Sequence, residues 1–80
     1  MSTSVRATVK RNLRELKRQS GLTWAEIAER VGVRERQVYR WSDDEEPVTP
    51  NDANLEALAK VFEVEVAYFY TPNWRPGRAS

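Results

Sequence analysis

Apolar residues recur along this chain at the three- and four-residue spacing of amphipathic helices. The first stripe consists of Val5, Val9, Leu13 and Leu16. It predicts a helix over about residues 5–19, and Gly21 stands where a helix ends in the left-handed conformation. Three small polar residues are candidates to cap its start: Ser2, Thr3 and Ser4.

A second helix start is marked by Thr23 and Glu26, which match a capping box. In this motif the Thr23 hydroxyl accepts from the Glu26 N–H, and the Glu26 carboxylate accepts from the Thr23 N–H. Leu22 and Ile27 have the spacing of a hydrophobic staple around that cap. We expect Gly32 to end the helix.

The third helix is expected over residues 34–42, with a narrow apolar stripe of Val38 and Trp41. At about 100° per residue, Arg36 and Arg40 lie on the opposite face. The pattern therefore predicts a helix held inward by two residues, with long polar side chains facing outward.

Two prolines and four consecutive acids make residues 42–50 a loop by composition. The fourth helix then starts either at Thr49 and Pro50 or with Asn51 as its cap. Its buried stripe is Leu55, Leu58, Ala59 and Phe62.

Val64 and Val66 alternate with acids as a short strand would. A lone strand has no pairing partner, so we expect a bend followed by a last helical turn over residues 66–70. The whole pattern predicts an all-α fold, a compact bundle of about five short helices. We expect one domain over residues 1–72 and a flexible tail over residues 73–80.

Composition removes several classes of function. The chain has no Cys and no His, which argues against a zinc site, a disulfide framework and thiolate chemistry. It has no Gly-rich phosphate loop and no paired-carboxylate site, so we expect neither an enzyme nor a cofactor. No apolar run approaches the ~20 residues of a membrane span, and the N-terminus does not resemble a secretory signal. We therefore expect a cytoplasmic protein.

Charge is divided unevenly along the chain, although the net charge is only +1. Residues 1–41 carry ten Lys and Arg against four acids, a balance of +6. Residues 42–72 carry one Lys against eight acids, a balance of −7. The asymmetry favours a polyanionic partner for the front half, although ordinary solvated helix faces would give the same count.

Residues 24–43 also meet the packing demands of a helix-turn-helix. Seven positions agree, with five apolar, one small and one glycine in the turn: Ile27, Val31, Val33, Val38, Trp41, Ala28 and Gly32. Over about residues 9–71 the chain resembles the Cro and phage-repressor (XRE-type) helix-turn-helix family. The segments that carry the resemblance are LRELKRQSGLT, WAEIAERVGV, RERQVYRW and NLEALAKVFEVEVAYFY.

The resemblance implies a lambda-repressor-like fold that places the third helix in the major groove of an operator. By matching positions, the base-reading residues are Glu35, Arg36 and Arg40, with Gln37 and Tyr39 near the DNA backbone or a thymine methyl. Arginine also has the geometry for bidentate contact with guanine. Candidates for phosphate contact are the start of the second helix and basic residues of the first: Lys10, Arg11, Arg14, Lys17 and Arg18.

The chain departs from the family pattern in ways that bear on DNA binding. Trp24 replaces a glutamine that often touches a phosphate, so it either donates from its indole N–H or is half-buried, which we prefer. Arg34 replaces a Ser or Thr cap, which weakens the cap but points a cation toward the DNA backbone.

Residues 43–46 are four acids where basic residues are common. Either this loop turns away, as we expect, toward the dimer end or toward Arg75 and Arg78, or it weakens binding. Glu63 replaces a customary glycine.

Three aromatic residues near the C-terminus exceed what the core needs: Tyr68, Tyr70 and Trp74. Relatives dimerise through this end, so we expect these residues in a homodimer interface, although they could instead cover the monomer. The leading hypothesis is a sequence-specific transcriptional regulator of duplex DNA, a phage or bacterial repressor or Cro-like protein. The alternative is a protein-interaction module: an antitoxin, anti-repressor or polymerase-associated factor that uses the acidic loop and the aromatics.

Overall fold

The computed structural model describes residues 4–71, which form four α-helices and one 3-10 helix. The helices are α1 (Val5–Ser20), α2 (Trp24–Val31), α3 (Glu35–Ser42), α4 (Asp52–Phe62) and the 3-10 helix Val66–Tyr70. This confirms the predicted all-α bundle. Within residues 4–71 the chain forms no strand, so the alternating segment before Val66 is a bend into the last helical turn. The predicted tail lies outside the described residues.

The caps that the sequence predicts are present at the first two helices. The Ser4 hydroxyl accepts from the Ala7 N–H at 3.1 Å. The capping box of α2 is complete, with Glu26 N donating to Thr23 Oγ1 at 3.1 Å and Thr23 N donating to Glu26 Oε1 at 2.9 Å. Gly32 ends α2 at φ 91°, in the left-handed region that only glycine adopts freely. The sharp turn between α2 and α3 depends on this residue.

The later helix ends distinguish between the alternatives that the sequence left open. Asn51 caps α4, with its Oδ1 accepting from Asn54 N at 2.8 Å, so the start at Thr49 and Pro50 is wrong. Arg34 stands at the N-cap of α3 without a side-chain hydrogen bond to the helix, which confirms the weaker cap. Glu63 ends α4 at φ 58°, a left-handed conformation that is costly for a residue with a Cβ.

One core joins all of these elements. Its buried hydrophobic residues come from the four helices and the 3-10 helix: Val9, Leu13, Leu16, Ile27, Ala28, Val38, Trp41, Leu55, Leu58, Ala59 and Phe69. Asn12 is buried beside it, and its amide donates to the carbonyls of Tyr68 and Thr71 at 2.7 and 3.1 Å. The 3-10 helix is thus fastened to α1. No helix among the described residues is both long and apolar enough to cross a membrane.

Candidate nucleic-acid interface

Helix α3 presents opposite faces to the core and to the surface. Val38 and Trp41 are 0% and 1% exposed, which confirms the predicted inward stripe. Glu35 and Arg36 are exposed, and the Arg40 side chain is about half-exposed, with 43% of its area accessible. Burial of the two apolar residues therefore fixes the rotation of α3, and that rotation turns both arginines outward.

An open groove of about 490 Å³ runs along the outward face of α3. Its lining brings together four of the predicted DNA-contacting residues with one apolar neighbour: Arg34, Arg36, Gln37, Arg40 and Val33. Glu35 and Tyr39 do not line this groove. Its three guanidinium groups make the groove suited to a polyanion that also offers hydrogen-bond acceptors.

Tyr39 belongs to a second cluster, at the start of α2. Its ring packs edge-on against Trp24, with centroids 6.3 Å apart and planes at 86°. Lys17 Nζ lies 4.9 Å from the centroid of the Trp24 ring, a cation–π contact. Trp24 is half-buried, as we preferred from the sequence. The cluster holds the Lys17 ammonium beside the N-terminal turn of α2, where free N–H groups also favour an anion.

Lys10 does not lie where the sequence predicted. It was expected to contact a DNA phosphate, but it is only 1% exposed. Its ammonium donates to three carbonyls, those of Arg40, Trp41 and Val48, at 2.9, 3.3 and 2.6 Å. Burial lowers the pKa of the Lys10 ammonium from its ordinary value, with nearby Arg6 acting in the same direction. Lys10 therefore satisfies carbonyl groups at the C-terminal end of α3 from the interior of the domain. Its role is structural, and it is not available to contact a phosphate.

Arg14 of α1 acts on the same end of α3 from the surface. Its Nη1 donates to the Ser42 carbonyl at 2.6 Å and to Asp44 Oδ1 at 2.9 Å. It lines a groove of about 460 Å³ that also includes Trp24, Tyr39 and the loop residues 43–45. Here too, a basic residue of the first helix is already engaged by the protein.

The acidic loop, residues 43–46, was expected to turn away from the DNA, and the structure places two of its acids beside basic residues of α1 and α3. Asp44 pairs with Arg14, and Glu46 Oε1 lies 3.7 Å from Arg40 Nε. Arg75 and Arg78, the other expected partners, lie outside the described residues. Sequence reasoning missed the contact between Glu46 and Arg40, although an acid six residues after an outward arginine, beyond a helix end, was a signal that the two could meet.

The remaining predicted residues divide by exposure. Arg11 and Arg34 are exposed on the surface. Tyr68 is half-buried, and Tyr70 is 45% exposed. Trp74 lies outside the described residues, so two of the three predicted interface aromatics have a place in the structure. No group of His, Cys, Asp or Glu within residues 4–71 is arranged to hold a metal ion.

A family model described as helix-turn-helix matches residues 13–69. The chain belongs to this helix-turn-helix family, of the XRE and Cro-like type. Among curated proteins, none matches the chain. The match spans α2, α3 and the groove on α3, as well as α4 and most of the 3-10 helix. The helix-turn-helix protein therefore carries a DNA-binding regulatory domain.

Membership explains the local design of the helix-turn-helix protein. The capping box and Gly32 set a short second helix and a sharp turn, and the core residues of α3 set its rotation. What the chain adds is its own set of outward residues, with Arg36, Gln37 and Arg40 on one groove. In a protein that binds DNA, side chains that reach base edges read the sequence, whereas contacts to phosphates set the position.

Proposed function

We propose that the protein is a sequence-specific regulator of transcription that binds duplex DNA as a phage or bacterial repressor or Cro-like protein. The observation that carries the proposal is the groove on α3, in which Arg36 and Arg40 face outward opposite the buried Val38 and Trp41. It acts by binding and not by catalysis, without a cofactor, in the cytoplasm of a bacterial cell.

The dimensions of α3 suit the major groove. An α-helix with its side chains is about 10–12 Å in diameter, close to the ~12 Å width of that groove in B-form DNA. Arg36 and Arg40 are four residues apart and so follow one another along a single helix face. Each guanidinium can donate two hydrogen bonds to O6 and N7 of a guanine. Glu35, at the start of the helix, has the chemistry to accept from a cytosine amino group.

Phosphate contacts would set the position of α3 on the duplex. The structure leaves exposed cations for this role at Arg11 and Arg34, and it holds Lys17 against Trp24 at the start of α2. Lys10 is excluded from this set because its ammonium is buried. Residues of α1 and of the start of α2 would thus contact the DNA backbone on one side of the recognition helix.

A homodimer would join two such helices on one operator. We propose that Tyr68, Tyr70 and Trp74 contribute to its interface, since Tyr70 is a large aromatic residue that presents 45% of its surface to solvent. Two recognition helices in a dimer read half-sites about 34 Å apart, so the operator should be palindromic.

The decisive experiment is selection of bound sites from random duplex DNA, followed by titration of variants on the selected site. Arg36→Ala and Arg40→Ala should each weaken specific binding by ~1–3 kcal/mol and relax preference at one or two positions, with circular dichroism unchanged. Lys17→Ala should weaken binding to all sequences alike and reduce the salt slope by about 1. Arg30→Ala, an exposed arginine outside the groove, is the matched control.

The outcome of this experiment also distinguishes a DNA-binding regulator from a protein-interaction module. Enrichment of no sequence, together with capture of a protein partner that tolerates Arg36→Ala and Arg40→Ala, would sink the DNA-binding proposal. It would favour an interaction module that uses the acidic loop and the C-terminal aromatics. A steep loss of DNA affinity with added salt would support the proposal, because each phosphate contact releases counterions.

A further inference from the structure

The acidic loop is held in place on both sides of Glu46. On one side, Arg14 Nη1 donates to the Ser42 carbonyl and to Asp44 Oδ1. On the other side, Lys10 Nζ donates to the Val48 carbonyl at 2.6 Å. Both cations come from α1, which belongs to the core. The backbone that carries Glu46 is therefore tied to the body of the domain.

The loop also has internal order. Glu46 N donates to the Asp43 carbonyl at 3.1 Å, and Glu45 N donates to Asp43 Oδ1 at 3.0 Å. The resulting turn separates two neighbouring acids. Glu45 is exposed, whereas Glu46 is half-buried and lies against α3. One carboxylate of the pair is thus directed at the recognition helix and the other is not.

The contact that results is made through one particular atom of Arg40. Glu46 Oε1 lies 3.7 Å from Arg40 Nε, with 37% and 43% of the two side chains exposed. A carboxylate at Nε leaves the two terminal nitrogens of the guanidinium free. Paired donors of this kind contact O6 and N7 of guanine. Glu46 therefore contacts the guanidinium on its Nε side and leaves the two terminal nitrogens of Arg40 for the base.

We infer that Glu46 is a specificity-determining residue that positions Arg40 for its base and disfavours DNA without that base. The inference rests on the proposed function and names a further residue of the same site. A carboxylate near the phosphates lowers affinity for every sequence, because like charges repel. On the matching sequence alone, the contact of the oriented Arg40 with its base offsets part of this loss of affinity. Glu46 therefore widens the gap between the operator and other DNA while lowering affinity for both.

The test compares Glu46→Gln with Glu45→Gln, which removes the same charge from the next residue without touching Arg40. Each protein is titrated at two salt concentrations on the selected duplex and on random duplex. A third duplex carries a substitution at the base pair where Arg40→Ala loses its preference. Both variants should bind random duplex more tightly than wild type does. Only Glu46→Gln should lower the ratio of affinities for the selected and substituted duplexes, by about two- to fivefold, the coupling expected of a half-exposed ion pair.

Glu46→Gln in the Arg40→Ala background should leave that ratio unchanged, because Glu46 acts through Arg40. Equal effects of Glu45→Gln and Glu46→Gln on the ratio would overturn the inference, leaving a charge effect alone. So would a further fall of the ratio in the Arg40→Ala background. A wild-type protein that selects no site at all would overturn the proposed function itself, which is a different and earlier result.

Discussion

Lys10 and Lys17 are the same residue type on one helix, and the structure gives them different roles. Lys17 lies over Trp24 near the start of α2, whereas Lys10 is buried under the end of α3. Both were candidates for phosphate contact because each is a basic residue of the first helix. The difference depends on carbonyls that are 30 to 38 residues away along the chain, and no local pattern records it.

Lys10→Met should therefore affect folding before it affects DNA binding. The substitution keeps much of the apolar stem but leaves three carbonyls, one buried and two partly buried, without their donor. We expect the free energy of unfolding to fall by about 2–3 kcal/mol, measured by urea denaturation. Lys60→Met, at an exposed lysine of α4, should stay within about 0.5 kcal/mol of wild type. Equal stability of the Lys10 and Lys60 variants would show that the ammonium is not needed where the structure places it.

Helix ends were the most predictable feature at the scale of elements, because caps are local. The capping box, Gly21, Gly32 and the Asn51 alternative all follow from residues within one turn of the helix end. The loop after α3 was less predictable. The composition of residues 42–50 predicted a loop but not the path of its backbone. That path is set by contacts with Arg14 and Lys10 of α1.

The capping box of α2 should give folding a pH dependence. The backbone N–H of Thr23 holds the pKa of Glu26 below its usual value of 4.5, with the Thr23 hydroxyl and Arg30 adding to the effect. A carboxyl with a lowered folded-state pKa contributes stability above its usual pKa and loses it as pH falls through the folded value.

The stability advantage of wild type over Glu26→Gln should therefore shrink as pH falls below 4.5. Urea midpoints at neutral pH and at acid pH would measure it. The pKa of Glu15 is also lowered, chiefly by Arg18, but that carboxyl is present in both proteins and does not enter the difference. A difference in stability that stays constant over the whole range would contradict this role of the capping box.

Glu63 makes the end of α4 more costly than a glycine would. At φ 58° its Cβ is crowded, whereas glycine adopts this conformation freely. Glu63→Gly should therefore raise the free energy of unfolding by about 0.5–1 kcal/mol, after the greater freedom of glycine in the unfolded chain is allowed for. Glu65→Gly is the control, since Glu65 has an ordinary φ of −84° and should lose stability. A loss at both positions would show that the bend is not strained.

For the whole molecule, the apolar pattern predicted which faces are buried, and polar contacts decided how the pieces are joined. The inward phase of α3 followed from Val38 and Trp41 alone. The groove on the opposite face followed with it, so most of the candidate site was predictable. The pair of Glu46 with Arg40 was not, because it requires the path of the acidic loop in three dimensions.

Trp41 is the residue on which both the fold and the site depend. It is the largest of the fully buried side chains, at 1% exposure, and it joins α3 to the rest of the core. Removal of a buried tryptophan costs ~3–5 kcal/mol, and a domain of this size is stable by only about 4–12 kcal/mol. Trp41→Ala should therefore lose most of its stability and its DNA binding together, measured by thermal and urea denaturation.

Two variants make that result interpretable. Trp24→Ala removes a half-buried ring from the surface cluster and should lose less stability than Trp41→Ala does, with the fold retained. Trp41→Phe keeps an aromatic ring in the core and should lie between Trp41→Ala and wild type. Arg36→Ala, by contrast, should keep its stability and lose specific binding. If Trp41→Ala melts cooperatively near the wild-type temperature, then Trp41 does not hold α3 to the core, and the outward direction of Arg36 and Arg40 loses its physical basis.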